Sequence, residues 1–368
     1  MWAGFASYLG ALAWAPRLGR PLVWGTIVAL LVLFTCLPPL LSHDVYSYVD
    51  YARLGVLHGI DPYLRGPAAA PSDPAFAHVT WAHTPSAYGP LFTLAGYPLA
   101  WLPVQAAVYV LKAISAATVL ATALIVARLA AVRGVDPLRA AVFVALNPLV
   151  LTHAVGGPHN DALAVLLTMF GVSSVLAARE VSAGAAFVAA IAIKISAAVA
   201  VPFALLATVK PPPTGRYVKA NLTYRPIGRF LAGVGLAALV VGVAAHLAFG
   251  WHWLDALALA GENQGRTSHM SIPITAARLL GLGPDAVRAA ALVAYGLFVA
   301  CLLAGTWRGG DWLRAAAWAT AGLLLASSWL LPWYLIWALP LAALSRDRAL
   351  QLLLLALTAY QLGARIPL

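Results

Sequence analysis

The chain has 368 residues, of which 62% are hydrophobic and only 10% charged. Soluble domains carry roughly 25% charged residues, so this composition predicts an integral membrane protein and excludes a secreted mini-protein, a disordered chain and a DNA-binding factor. The formal charge of +11 is attributed to basic cytoplasmic loops that face anionic lipid, and no nucleic acid partner is expected.

Long apolar runs predict an all-α, polytopic membrane protein that forms a single integral membrane domain over residues 1–368. The first run, 21–41, has no small-x-small cleavage site and is expected to be a retained span. The run 182–209 is too long for one helix and is interrupted by a lysine and a proline, so two short half-helices that form a hairpin are expected there. The total is about 11 transmembrane helices, the other spans being 105–131, 138–156, 160–178, 228–250, 286–306, 312–328, 329–345 and 349–364.

The distribution of charge predicts the topology. With the N-terminus inside, most Lys and Arg residues fall in inner loops, among them the basic loop 210–229. The run 89–104 contains two prolines and is interpreted as a juxtamembrane helix, because a crossing there would place that basic loop outside. All nine histidines then lie on the outer face of the cell membrane, where the polar chemistry is expected.

The first extracytoplasmic loop, 42–104, is expected to carry juxtamembrane helices and a catalytic carboxylate. A helix is predicted to begin with Ser42 as N-cap, so the helix dipole should keep Asp44 ionised. Tyr48 and Tyr51 share a helical face with Asp44, and a carboxylate beside aromatic rings is suited to holding a sugar. The valine-rich face of the same helix is expected to rest on the membrane surface. A helix-capping acid is the alternative for Asp44.

A second polar cluster follows the span 138–156, where Gly156-Gly157-Pro158 predicts a tight turn. Helix capping accounts for one of Asn160 and Asp161, so a functional role is predicted for the triplet His159, Asn160 and Asp161. These side chains are compatible with a divalent metal, but no HExxH or CxxC spacing exists. No cofactor and no metal ligand is therefore predicted.

Two lysines, Lys112 and Lys194, are candidates for charge within the membrane. No acid lies within a helical turn of Lys194, so its partner must come from elsewhere in the fold or from an anionic ligand such as a lipid phosphate. Snorkelling to the interface is the alternative. Arg266 and His269 lie in a polar outer loop and are candidates for phosphate or sugar contacts, and His43 stands beside the proposed base.

One acid and one membrane-level lysine fit inverting sugar transfer from a lipid phosphate. The acid takes the proton of the acceptor hydroxyl, and a departing phosphate needs a cation rather than a protonating acid. A hydrolase would instead use a pair of carboxylates.

Several stretches form a recognisable set, namely 43–53 (HDVYSYVDYAR), 58–63 (HGIDPY), 88–91 (YGPL), 147–149 (NPL) with 157–162 (GPHNDA), and 329–335 (WLLPWYL). They resemble the polyprenol-phosphate-mannose-dependent α-1,6-mannosyltransferases of actinobacterial envelopes, which belong to the GT-C glycosyltransferase superfamily. The resemblance covers about residues 20–345. It implies that Asp44 is the catalytic base, that 159–161 form the second-loop part of the site, and that Lys194 lies near the donor phosphate.

The predicted function is inverting transfer of mannose from polyprenyl-phosphate mannose to a cell-envelope glycan or glycolipid acceptor on the extracytoplasmic face. The expected partners are this donor, the acceptor and membrane lipids. A GT-C enzyme that uses another lipid-phosphate sugar, such as arabinose or glucose, and a lipid-linked-sugar transporter are the alternatives. Binding alone would not require Asp44, which favours an enzyme.

Overall fold

The structure, a computed structural model, describes residues 2–209 and 226–363. All regular structure in these ranges is helical, which confirms the all-α prediction. Residues 210–225 of the basic loop 210–229 lie outside the described residues, so its cytoplasmic location stays a prediction, as does the assignment of 1–368 to one domain.

The α-helices are numbered here in chain order. They are α1 Trp2–Trp14, α2 Arg20–Cys36, α3 Asp44–Leu57, α4 Pro90–Gly96, α5 Val104–Val132, α6 Pro137–Ala145, α7 Asp161–Leu176, α8 Glu180–Ile191, α9 Val201–Val209, α10 Pro226–Phe249, α11 Asp255–Gly265, α12 Ile272–Leu280, α13 Pro284–Trp307, α14 Trp312–Ala326, α15 Leu339–Leu344 and α16 Arg348–Gly363.

Three of the described helices are long and apolar enough to cross a membrane, namely α5, the part Ile227–Phe249 of α10, and α13. A fourth candidate is α6 together with the π-helical turn Val150–Gly156, a pair that bends by 61°. Shorter apolar helices of 10–17 residues occupy most of the other predicted spans. The structure therefore supports a protein with several membrane helices, and the total of about 11 stays a prediction.

The bend in the predicted span 138–156 has a local cause. Proline lacks an N–H and clashes with the preceding turn, so Pro148 ends α6. The side chain of Asn147 accepts a hydrogen bond from the Leu149 amide at 3.0 Å and donates one to Thr358 at 3.1 Å. These bonds satisfy the broken backbone inside the protein.

The prediction of two half-helices within 182–209 is confirmed. The first helix, α8, ends at Ile191, and Lys194 then takes an extended conformation with φ −148° and ψ 120°. A 3₁₀ helix, Ile195–Ala200, leads into α9. The break therefore lies at the lysine, while Pro202 is accommodated in the first turn of α9.

The loop 42–104 forms α3, α4 and a 3₁₀ helix, Tyr97–Trp101. The helix α4 has seven residues, far fewer than the roughly 20 that a crossing needs. The expectation that the valine-rich face of α3 rests on the membrane was wrong, because Val45 and Val49 are buried against the first turns of α5. The apolar face of α3 is thus covered by protein.

Candidate active site

Segments from distant parts of the chain meet beside the start of α3. Asp44 lies in the first turn of α3, and its Oδ2 is 3.6 Å from Nδ1 of His159. His159 follows the Gly156-Gly157-Pro158 turn and stacks on Trp333, with 3.8 Å between ring centroids. The sequence analysis expected Asp44 and His159 to share a site, and the structure brings them together.

Asp161, which is fully buried, and Lys194, which is partly buried, form an ion pair. Lys194 Nζ donates to Asp161 Oδ2 at 3.0 Å, and Trp337 Nε1 donates to Asp161 Oδ1 at 2.7 Å. The ammonium also faces the ring of Tyr334, 5.5 Å from its centroid. The partner of Lys194 therefore comes from elsewhere in the fold. Asn160 occupies the N-cap position of α7, as expected, but its side chain makes no capping bond, and the carboxylate of Asp161 accepts from Lys194 and Trp337.

The Tyr-Gly-Pro motif of the first loop packs directly on the turn that carries Lys194. The amides of Gly89 and Leu91 donate to the carbonyls of Ile193 and Ala192, at 3.1 and 3.0 Å. A Cβ at position 89 would lie 2.1 Å from the Ala192 oxygen, so only glycine permits this approach. These contacts fix Lys194 relative to the loop 42–104.

The electrostatic environment of Asp44 differs from the expectation based on the helix dipole. Burial raises the pKa of Asp44, while the nearby Lys194 ammonium and a hydrogen bond from Trp81 partly offset this. Ser42 is also not the N-cap, since His43 precedes the helix and Ser42 Oγ accepts from the Asp44 amide at 3.2 Å. The carboxylate is consequently more basic than an ordinary aspartate.

An aromatic wall adjoins Asp44. Tyr48 packs edge-on against Tyr88 and Phe92, with ring centroids 4.8 and 4.9 Å apart. Tyr51 is buried and its hydroxyl donates to the Thr84 carbonyl at 2.8 Å. Tyr48 and Tyr51 are thus held by packing close to Asp44, and their role in holding a sugar stays a prediction.

Asn160 has an unusual environment. Its side chain is only 4% exposed, and neither amide atom has a hydrogen-bond partner among the described residues. A buried polar group without a partner is destabilising by about 1–3 kcal/mol. The amide of Asn160 therefore offers a donor and an acceptor to a polar ligand.

The remaining candidates lie at the edge of the site. Arg266 sits between two indole rings, 4.9 Å from the centroid of Trp81 and 5.9 Å from that of Trp329. His43 is exposed and packs edge-on against Tyr46, and His269 is exposed, with its carbonyl accepting from Thr275. Arg266 is therefore connected to Asp44 by way of Trp81, which it contacts and which donates to Asp44. The described contacts of His43 and His269 do not involve Asp44, Asp161 or Lys194.

Sequence reasoning missed Trp81 and Trp337, which bind Asp44 and Asp161. Tryptophan in or near a predicted span is usually an interface anchor, so residue type alone gave no signal. Pro332 and Pro340 did offer one, because they break the predicted span 329–345 into a 3₁₀ helix, Pro332–Trp337, and α15. Aromatic side chains on such irregular backbone can point toward a polar site.

No group of three or more His, Cys, Asp or Glu side chains is arranged to hold a metal ion in residues 2–209 and 226–363. The absence of a required metal stays a prediction.

The family model for the N-terminal domain of alpha-(1->6)-mannopyranosyltransferases matches residues 1–210, which include Asp44, Asp161 and Lys194. Alpha-(1->6)-mannopyranosyltransferase A of Mycobacterium tuberculosis is 30% identical over 375 residues, covering 93% of this chain and 70% of the relative. The protein of the same name from Corynebacterium glutamicum is 32% identical over 187 residues, covering 50% of this chain and 38% of the relative.

A probable alpha-(1->6)-mannopyranosyltransferase of Mycolicibacterium smegmatis is 30% identical over 384 residues, covering 89% of this chain and 66% of the relative. No solved structure matches. The family model and these relatives agree with the resemblance identified from the motifs. The chain therefore belongs to the alpha-(1->6)-mannopyranosyltransferase family of mannosyltransferase enzymes.

Proposed function

We propose that the chain transfers mannose, with inversion, from polyprenyl-phosphate mannose to a glycan or glycolipid acceptor on the extracytoplasmic face. The observation that carries this proposal is the position of the partly buried carboxylate of Asp44 within the same cluster as the Lys194–Asp161 pair. This arrangement offers one base and one cation, which are the two groups that the reaction needs.

Asp44 acts as the general base. It accepts the proton of the acceptor hydroxyl as that oxygen bonds to the anomeric carbon of mannose. A raised pKa strengthens a carboxylate as a base, and catalysis improves as the pKa approaches the operating pH. His159, 3.6 Å away, lies beside the carboxylate and helps to position it.

Lys194 stabilises the leaving group. The bond from the anomeric carbon to the phosphate oxygen breaks, and polyprenyl phosphate departs as an anion. An ammonium has three N–H donors, of which Asp161 occupies one, so donors remain for the phosphate. The Trp337 hydrogen bond holds Asp161, and Asp161 in turn orients the ammonium.

Asn160 and the aromatic wall hold the sugar. The buried amide of Asn160 has a free donor and acceptor among the described residues, which suits a sugar hydroxyl. Tyr48, which lies against the backbone of Asn160, supplies an apolar ring surface beside it. Arg266 and His269 stay candidates for phosphate or sugar contacts at the rim.

Transfer is tested by incubating the purified protein with radiolabelled polyprenyl-phosphate mannose and a short α-mannoside, followed by linkage analysis of the product. An α-1,6-linked product supports the proposal. Transfer from a different lipid-phosphate sugar, and none from the mannose donor, would contradict the choice of donor. Binding of donor with no transfer to any acceptor would favour a transporter.

The extracytoplasmic location, with about 11 crossings, belongs to the same proposal. Both free cysteines, Cys36 and Cys301, are exposed and are replaced by alanine first. A cysteine at the exposed Ala69 should then react with a membrane-impermeant thiol reagent in intact cells, whereas one at the exposed Arg308 should react only after lysis. The reverse pattern would place the site on the cytoplasmic side.

A further inference from the structure

A second lysine, Lys112 of α5, is completely buried. Its Nζ donates to the carbonyl of Gly156 at 2.9 Å and to that of Pro38 at 3.2 Å. An ammonium inside an apolar helix is destabilising unless it is paired or bound by backbone carbonyls. Both carbonyls belong to other segments, so Lys112 fastens two distant parts of the chain to each other.

The two fastened segments lead directly to the proposed base and its neighbour. Pro38 precedes Asp44 by six residues, and Gly156 precedes His159 by three. The carbonyl of Gly156 also accepts a hydrogen bond from the Leu40 amide at 3.0 Å. Lys112 and Leu40 therefore converge on the same oxygen.

The junction between these segments is tight and strained. A Cβ on Gly157 would lie 2.4 Å from the Leu40 carbonyl oxygen. Leu41 has a φ of 62°, the left-handed region that a leucine rarely adopts. Such a conformation persists only where the surrounding contacts hold it. The two hydrogen bonds of Lys112 are contacts of this kind.

We propose that Lys112 is a positioning residue for the transfer. By hydrogen bonding to both segments it holds 38–41 against 156–157, a contact called the clip below, and so sets the distance between Asp44 and His159. This inference rests on the proposed function, because it assigns Lys112 an effect on the base. Lys112 does not touch the reacting atoms. It acts through the backbone that carries Asp44.

The clip acts on the base and not on the donor phosphate. Among the described residues, the hydrogen bonds that join Lys194, Asp161 and Trp337 do not involve the segments that Lys112 joins. The turn of Lys194 is held separately by Gly89 and Leu91. Loss of the clip should therefore lower kcat and leave the KM for the donor nearly unchanged.

The test compares Lys112→Met with Arg128→Met, which removes an exposed cation from the same helix. Lys112→Met should lower kcat about 10–100-fold, because a displacement of about 1 Å at a reacting group has an effect of this size. The acid limb of its pH–rate profile should also move to lower pH, since a displaced Asp44 is less buried. Arg128→Met should change neither quantity.

A second readout does not depend on activity. Amide hydrogen exchange of the peptide 37–43 reports on the Leu40 amide, which donates to Gly156. This peptide should exchange faster in Lys112→Met and at the wild-type rate in Arg128→Met. Exchange at the wild-type rate in Lys112→Met, or faster exchange with an unchanged kcat, would overturn the proposal.

Gly157→Ala disrupts the same contact, because the added methyl group would clash with the Leu40 carbonyl oxygen. This variant is used if Lys112→Met does not fold. It should give the same faster exchange and lower kcat. In combination with Lys112→Met the losses should not add, because both changes disrupt one contact; additive losses would overturn the clip. If the wild type transfers no mannose, the proposed function fails, and the exchange rates still decide whether Lys112 holds the junction.

Discussion

The helix α13 and the segment 137–161 are both apolar stretches of about the length of a span, yet they have opposite structures. None of the most apolar window of α13 is buried within the protein, and its 24 residues run without a break. The segment 137–161 is almost wholly buried, bends by 61°, and ends in His159, Asn160 and Asp161.

The difference follows from the solvent that each backbone meets. Lipid offers no hydrogen bonds, so a helix that faces it must satisfy its backbone internally. A broken helix is tolerated where protein groups satisfy the freed donors and acceptors, as Asn147 and Lys112 do here. Interruptions, and with them the polar side chains of the site, are therefore confined to the interior.

The largest expected effect concerns Asp44, the carboxylate that faces His159 at the end of the segment 137–161. Asp44→Asn keeps the shape of the side chain and removes the proposed base, so kcat should fall roughly 10²–10⁴-fold with donor binding nearly intact. In the wild type, because the pKa of Asp44 is raised, kcat should fall on the acid side at a higher pH than an ordinary aspartate would give.

The control for this change is Asp285→Asn, which neutralises an 89% exposed acid at the start of α13. It should leave the rate unchanged. A rate near that of the wild type for Asp44→Asn would remove Asp44 from the mechanism.

A matched pair of leucines tests the comparison through stability. Leu149→Ala removes a completely buried side chain from the bent segment and should be destabilising by about 2–5 kcal/mol. Leu297→Ala on α13 removes a side chain that is 66% exposed and should change stability by less than about 0.5 kcal/mol. Thermal unfolding in detergent measures both, and equal effects would mean that α13 also packs against protein.

Lys194 tests the binding of the lipid phosphate. Lys194→Ala should weaken binding of polyprenyl phosphate by roughly tenfold or more, since a hydrogen bond to a charged group contributes about 1.5–3 kcal/mol. Because the change leaves Asp161 buried without its cation, the double variant Lys194→Met with Asp161→Asn is measured beside it. An unchanged dissociation constant in both variants would rule out a phosphate contact.

The last expected effect concerns Asp50, on another face of α3. Asp50 is buried, its carboxylate oxygens have no hydrogen-bond partner among the described residues, and burial raises its pKa to about 7, with neighbouring Asp73 adding to the shift. The folded protein therefore holds a proton there that the unfolded chain releases near pH 4. Stability contributed by this group falls as the pH rises from about 4 to about 7.

Asp50→Asn removes that dependence. Its stabilising effect, a few degrees in Tm, should grow between about pH 4 and about pH 7 and then level off. A constant difference in Tm across this range would show that Asp50 does not bind a proton in the folded protein. The exposed Asp285→Asn again serves as the control.

Hydrophobic runs were sufficient to predict an all-α membrane protein and the division of 182–209 into two half-helices, because these depend on local composition. The location of the break at Lys194 rather than at Pro202 required the structure. The same runs overestimated helix continuity at 138–156 and 329–345, where Pro148 and Pro332 bend the chain. The contact of the valine-rich face of α3 with α5 depends on tertiary packing, which the period of a helix does not reveal.

For the site, residue type and motif resemblance predicted that Asp44, His159 and Lys194 would meet. The pairing of Lys194 with Asp161 required the fold, since 33 residues separate them. The raised pKa of Asp44 could not be predicted from its position in the first turn, because burial by the rest of the protein outweighs the helix dipole there.

The hydrogen bond between Asp161 and Trp337 spans 176 residues, which has a consequence for biosynthesis. At roughly 5–20 residues per second, a ribosome needs on the order of 10–30 s to make the chain between them. During this interval the buried acid has already left the ribosome without its indole donor. Final closure of the site must wait until the Trp337 segment has entered the membrane, so a chain released before that point should carry Asp44 and Lys194 and still lack an assembled active centre.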